Sequence, residues 1–219
     1  VDKPNMPQKG TITVEKSGEV FFGVSVSGAE NKTTIYQPLY EVAGLANAKY
    51  EIRAAEDIIT PDGTLRAAKG ELVDTVITGE DGFAKSKELY LGKYEIKETE
   101  APYGMVLNDE VHTAELVYAG QTVAVTETAT SFYNERQKVE ISLEKTLELN
   151  KLFGIGNNGE IKNIAFGLFA EVELVSTSGT SIPKDGLIEI ISPDENGKAT
   201  FATDLPIGSY YVKELATDS

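Results

Sequence analysis

Two residue types in this sequence could do chemistry, and each sits on the apolar side of a strand-like run. In Tyr94-Glu95-Ile96-Lys97-Glu98 the alternation of a strand puts Tyr94, Ile96 and Glu98 on one face. Ala101-Pro102-Tyr103-Gly104 then stops the strand, because proline donates no N–H and glycine accepts a tight turn. A carboxyl group aimed at a core either escapes to solvent at the strand end or stays buried and protonated to move protons. In Thr11-Ile12-Thr13-Val14-Glu15-Lys16 the lysine shares its face with Ile12 and Val14. The bland outcome there is a side chain that stretches to the rim. The sequence lacks cysteine, so disulfides, thiolate nucleophiles and thiolate zinc sites are excluded. His112, the single histidine, lies in the alternating run Glu110–Leu116 and is predicted to be an exposed strand residue, with no second histidine to build a triad.

These residues need strands to hold them, and the composition supplies little else. The chain has 219 residues, enough for two ordinary domains, with 41% hydrophobic and 25% charged residues. Its net charge of −15 argues against nucleic acid and anionic membrane as partners. No apolar run is long enough to span a bilayer. The start at Val1 and the lack of a signal peptide suggest a processed or excised piece.

Along the chain, residues 1–9 hold two prolines and no apolar period and read as a linker. A lysine strand ends at Ser17-Gly18, and the 17–44 stretch reads as an insertion of further β-type segments. Tyr50, Ile52 and Ala54 alternate with Glu51 and Arg53, which predicts a strand rather than a helix. Pro61-Asp62-Gly63 and Gly79-Glu80-Asp81-Gly82 are turns. Glu110–Tyr118 and Thr122–Glu127 flank Ala119-Gly120-Gln121 as a predicted hairpin.

At Val139 the pattern begins again. Val139-Glu140-Ile141-Ser142-Leu143-Glu144-Lys145 ends its apolar face on a lysine, as the first strand did. Ala165–Ala170 stands where Ala48–Arg53 stood, and Asp194-Glu195-Asn196-Gly197 repeats the earlier turn. Gly208-Ser209-Tyr210-Tyr211-Val212-Lys213-Glu214 repeats Gly92-Lys93-Tyr94-Glu95-Ile96-Lys97-Glu98. The internal repeat and the many short strands between Gly and Pro predict an all-β chain of tandem sandwiches. The expected division is a linker over 1–9, a complete domain over 10–137, and a second domain over 138–219 that lacks its last strands, as in a fragment of a longer repetitive protein.

Gly-x-Tyr followed by Lys-Glu-x-x-Ala-Pro-x-Gly, here Gly92 to Gly104, closely resembles the collagen-adhesin B-type domains of Gram-positive surface proteins and pilins. The Leu-x-x-Ala-x-Tyr segment at Leu45–Tyr50 fits as well. The resemblance implies immunoglobulin-like (reverse-Ig, prealbumin-like) β-sandwiches carrying an intramolecular isopeptide bond. Carried over by position, Lys16 is the nucleophile, Glu98 the acid, and Asn134 the acceptor. In the second repeat Lys145 and Glu214 match, and their acceptor is expected beyond Ser219. A lysine attacks only as the neutral amine, which burial favours. A buried, protonated Glu98 can bond the Asn amide, polarise its carbonyl and relay protons as ammonia leaves. That is one self-processing event per chain, not an enzyme, and it implies no cofactor and no metal.

Departures from the family pattern are Met105, where members often carry Tyr, and the absence of a sorting motif or a Tyr-Pro-Lys-Asn pilin motif. The expected setting is the extracellular, cell-wall-attached surface of a Gram-positive bacterium, with neighbouring domains of the same protein as partners and no nucleic acid or direct membrane contact. Two functions follow: a covalently locked stalk of an adhesin or pilus-like protein, or an adhesin module that holds a host protein or glycan.

Weaker signals point elsewhere. Gly154-Ile155-Gly156-Asn157-Asn158-Gly159 spells a dinucleotide fingerprint outside any βαβ context. Asp194-Glu195-Asn196 lacks the remaining ligands of a calcium loop. Asn31-Lys32-Thr33 is a sequon of a length met often by chance. No paired carboxylates and no tryptophan suggest a glycosidase cleft.

Overall fold

The computed structural model describes residues 6–28, 33–146 and 160–215. The sequon and the glycine-rich 154–159 stretch lie at least partly outside these residues. Contacts divide the chain into two units: one of Val1–Glu19 with Val42–Arg136, the other of Val20–Glu41 with Gln137–Ser219.

The first unit is built from strands β1 (Lys9–Gly28), β2 (Thr34–Gly44), β3 (Lys49–Ala54), β4 (Ile58–Ile59), β5 (Leu65–Ala67), β6 (Leu72–Ile77), β7 (Phe83–Lys85), β8 (Leu89–Tyr90), β9 (Gly92–Glu100), β10 (Val111–Leu116) and β11 (Val125–Asn134), though the outer parts of β1 and β2 belong to the second unit. One sheet runs β11-β1-β2, with β7 and β8 also on β1; the other runs β10-β9-β3-β6. Alternation explains the sandwich. Ile12, Val14 and Phe132 of one sheet share a core with Tyr50, Ile52, Tyr94 and Ile96 of the other, while Glu51, Arg53, Glu95 and Lys97 face away from that core. The unit's first and last strands, β1 and β11, pair in parallel, with Lys16 opposite Phe132 and Gly18 opposite Asn134.

Three sequence expectations need correction. First, β1 does not end at Ser17-Gly18. A Cβ on Gly18 would lie 2.7 Å from Leu45 Cδ1 and 2.8 Å from the Asn134 carbonyl oxygen, so the glycine serves a close approach, and the strand continues to Gly28. Second, β10 and β11 are not a hairpin: β10 pairs with β9 and β11 with β1, so residues 117–124 cross from one sheet to the other. Third, the linker expected over 1–9 overlaps the fold, because Lys9 opens β1 opposite Val125 and Tyr90.

The second unit adds β12 (Ser142–Glu144), a 3-10 turn (Glu160–Asn163), β13 (Ala165–Ala170), β14 (Leu174–Val175), β15 (Ser181–Ile182), β16 (Leu187–Ile191), β17 (Lys198–Thr200) and β18 (Tyr210–Leu215). Its core holds Phe166, Leu168, Ala170, Ile182, Ile188, Phe201 and Leu205. Residues 20–41, which the sequence places in the first domain, belong here: Phe21, Val24 and Tyr36 pack against this core. The N–H groups of Thr177 and Ser178 donate to the carbonyls of Phe21 and Phe22, at 3.0 Å each.

Candidate functional site

The site lies between the two sheets of the first unit, where three polar side chains share the core. Lys16 from β1 is 0% exposed, Glu98 from β9 is 1% and Asn134 from β11 is 1%. Each is there because its strand's alternation continues to one residue beyond the hydrophobic run: Ile12-x-Val14-x-Lys16, Tyr94-x-Ile96-x-Glu98, Phe132-x-Asn134. The strand-end escape open to Glu98 and the stretch to the rim open to Lys16 are therefore not taken.

The three polar groups are in mutual contact. Lys16 Nζ lies 3.0 Å from Glu98 Oε1 and donates to Asn134 Oδ1. Asn134 Nδ2 donates to Glu98 Oε1 and Oε2, 3.0 Å from each. The amide thus turns its carbonyl to the amine and its nitrogen to the carboxyl group. Tyr50 Oη stands 3.5 Å from Glu98 Oε1, and the backbone N–H of Asn108 donates to Oε2 at 2.7 Å. The rings of Tyr50 and Phe132 flank the amine, with centroids 5.7 and 5.8 Å from Nζ.

Burial dominates the electrostatics. Desolvation pulls the Lys16 amine below its ordinary value, against the opposing pull of its hydrogen bond and charge attraction to Glu98. A proton leaving Nζ has Oε1 within reach. Burial, then the charge of Glu98 and the hydrogen bond to it, push the Tyr50 hydroxyl up, so Tyr50 stays a neutral donor.

Two contributors were missed in the sequence. Asn108 sits in the loop after the Ala-Pro-Tyr-Gly stop, and nothing in its local pattern singled it out. His112 is not the exposed residue expected: it is half-buried, its ring stacked 3.9 Å from that of Phe132, and Nδ1 lies 2.8 Å from Thr130 Oγ1. Its place on β10 opposite Ile96 brings it against the outer side of the ring that covers Lys16.

The repeat holds in three dimensions as well. The N–H of Lys16 donates to Gly82 O at 2.8 Å, and that of Lys145 to Gly197 O at 2.7 Å. Glu98 pairs across the sheet with Tyr50, and Glu214 with Phe166. Lys145 Nζ meets Glu214 Oε2 at 2.8 Å, but these side chains are 30% and 50% exposed, against 0% for both members of the first pair. Asp194 Oδ1 accepts the N–H groups of Asn196 and Lys198, which makes that segment a turn held by its own carboxylate. Among the described residues no cluster of acidic or histidine side chains could hold a metal ion.

Comparison with known proteins bears on the fold. Residues 40–131 match the family described as the SpaA prealbumin-like fold domain, a span that includes Glu98 and stops short of Lys16 and Asn134. The resemblance to B-type domains of Gram-positive surface proteins holds, and the fold is prealbumin-like and all-β. The chain is 29% identical to the trypsin-resistant surface T6 protein of Streptococcus pyogenes, over 67% of this chain and 29% of that protein. It therefore spans less than a third of that relative. Among solved structures, the Bacillus anthracis TIE protein superposes with a TM-score of 0.50 at 18% identity, over 96% of this chain and 46% of that one. The major pilin SpaD of Corynebacterium diphtheriae gives a TM-score of 0.40 at 15% identity, over 78% and 43%.

Proposed function

We propose that this chain is a structural segment of a Gram-positive cell-surface or pilus protein, and that its first domain locks itself with an isopeptide bond between Lys16 and Asn134. The observation that carries this reading is the fully buried contact of an amine, an amide and a carboxyl group joining the first and last strands of the unit. The neutral amine of Lys16 attacks Asn134 Cγ. Nζ gives up a proton to Glu98 Oε1, Glu98 returns one to Nδ2, the Cγ–Nδ2 bond breaks, and ammonia leaves. Glu98 ends as it began, so the reaction uses no cofactor and occurs once. The three reacting side chains are enclosed in the core between the sheets, which suits a structural bond better than turnover. The similarity to a streptococcal surface protein supports an extracellular, wall-associated setting with neighbouring domains or subunits as partners.

Intact mass tests the reading. The unmutated protein should be lighter than its sequence by one ammonia, and Glu98→Ala and Lys16→Ala should each restore the full mass expected for the variant. Full mass in the unmutated protein would refute the proposed bond.

A further inference from the structure

The two oxygens of Glu98 are not equivalent, and the difference is made by Asn108. Oε1 faces Lys16 Nζ at 3.0 Å and the Tyr50 hydroxyl at 3.5 Å. Oε2 receives the Asn108 backbone N–H at 2.7 Å. The leaving nitrogen of Asn134 is 3.0 Å from both. A backbone N–H only donates, so it occupies Oε2 and fixes the carboxyl group with Oε1 turned to the amine. Oε1 is the oxygen beside both the amine that loses a proton and the amide nitrogen that gains one.

The side chain of Asn108 aims that N–H. Its Oδ1 accepts the N–H of Glu110 at 2.9 Å, closing an Asx turn. Its Nδ2 donates to the carbonyl of Tyr133 at 3.0 Å, next to the acceptor residue. The N–H of Val106 donates to Glu135 O at 2.8 Å on the other side of Asn134. One loop is therefore keyed to the acid and to both neighbours of the acceptor. Given the isopeptide reading above, on which this inference rests, we propose that Asn108 is a positioning residue for bond formation. Its N–H holds Glu98 so that Oε1 faces both the amine and the leaving nitrogen, and its side chain fixes the loop to the acceptor strand.

Two variants test this. Asn108→Pro removes the N–H, and Asn108→Ala keeps it but releases the loop. Each is purified promptly, its reacted fraction is read from intact mass, and ammonia loss is followed over time, with urea midpoints measured on the same samples. Loss of a single aimed donor slows such chemistry by roughly tenfold or more. Asn108→Pro should show a large unreacted fraction and a slow approach to the reacted mass, with Asn108→Ala between it and the unmutated chain. An aimed donor makes the rates fall further than the midpoints do, whereas a loop that acts only as packing makes rate follow stability. If Asn108→Pro does not fold, slowing of Asn108→Ala without a matching loss of stability decides. Variants that fold and react fully, or slow only in step with their stability, overturn the assignment to Asn108 alone. Absence of ammonia loss in the unmutated chain overturns the isopeptide reading beneath it.

Discussion

At the scale of single residues, the tension is between burial and charge. A lysine and a glutamate enclosed together are expensive as ions. Desolvation lowers the Lys16 amine, which favours the neutral form that the proposed reaction needs, and Glu98 Oε1 stands 3.0 Å from Nζ. An Asn134→Ala chain keeps the amine unreacted and exposes this in its pH dependence. With the folded amine below its usual value of 10.5, the unfolded chain binds more protons between the two values. Stability should therefore rise with pH through that window and be lost as pH falls. Above pH 10 the raised Tyr50 and Tyr94 hydroxyls oppose the trend, because the unfolded tyrosines then ionise first. Urea midpoints at stepped pH should climb as pH rises toward about 10; a flat profile would count against a buried amine. Asn134→Asp offers a second check at this scale. Its carboxyl group condenses with loss of water in place of ammonia, so its reacted mass should equal that of the reacted unmutated protein.

At the scale of elements, the lysine strand is seated by a turn. Gly82 has φ +81°, and a Cβ there would lie 2.5 Å from Lys16 O and 2.7 Å from Gly44 Cα. Gly82→Ala should cost about 2 kcal/mol or more, through the left-handed backbone and the displaced β1, read as a lowered denaturation midpoint with a slower reaction. The same turn recurs at Gly197 beneath Lys145. Much of this was legible in the sequence, because period-2 alternation fixes which side chains share a face, and the repeat showed that Lys16 and Glu98 were not isolated accidents. Two features were hidden for physical reasons. Gly18 carries no mark that separates a turn from a close strand approach, since both exploit the missing Cβ. The segment 117–124 looks like a hairpin because local sequence records alternation but not which sheet a strand joins. Asn108 was illegible because its contribution is a backbone N–H, which every residue except proline possesses.

At the scale of the whole chain, the proposed bond joins residues 118 positions apart. By analogy with a disulfide closing a loop of that size, it stabilises on the order of 5 kcal/mol by restricting the unfolded chain. Because it ties β1 to β11, tension along the unit runs through a covalent link rather than through the ladder of Lys9–Gly18 against Val125–Asn134. The closed segment includes residues 20–41, whose contacts belong to the second unit. Phe21→Ala combined with Tyr36→Ala should lower the stability of that unit by about 2 kcal/mol, from lost apolar burial, while ammonia loss in the first unit continues unchanged. Limited proteolysis with intact-mass readout separates the two effects. The central claim meets its most direct test in tandem mass spectrometry of a tryptic digest. Trypsin cannot cut after an acylated lysine, so the account predicts a branched peptide in which Lys16 Nζ is bonded to Asn134 Cγ. Linear peptides with cleavage after a free Lys16 and an intact Asn134 amide would contradict it.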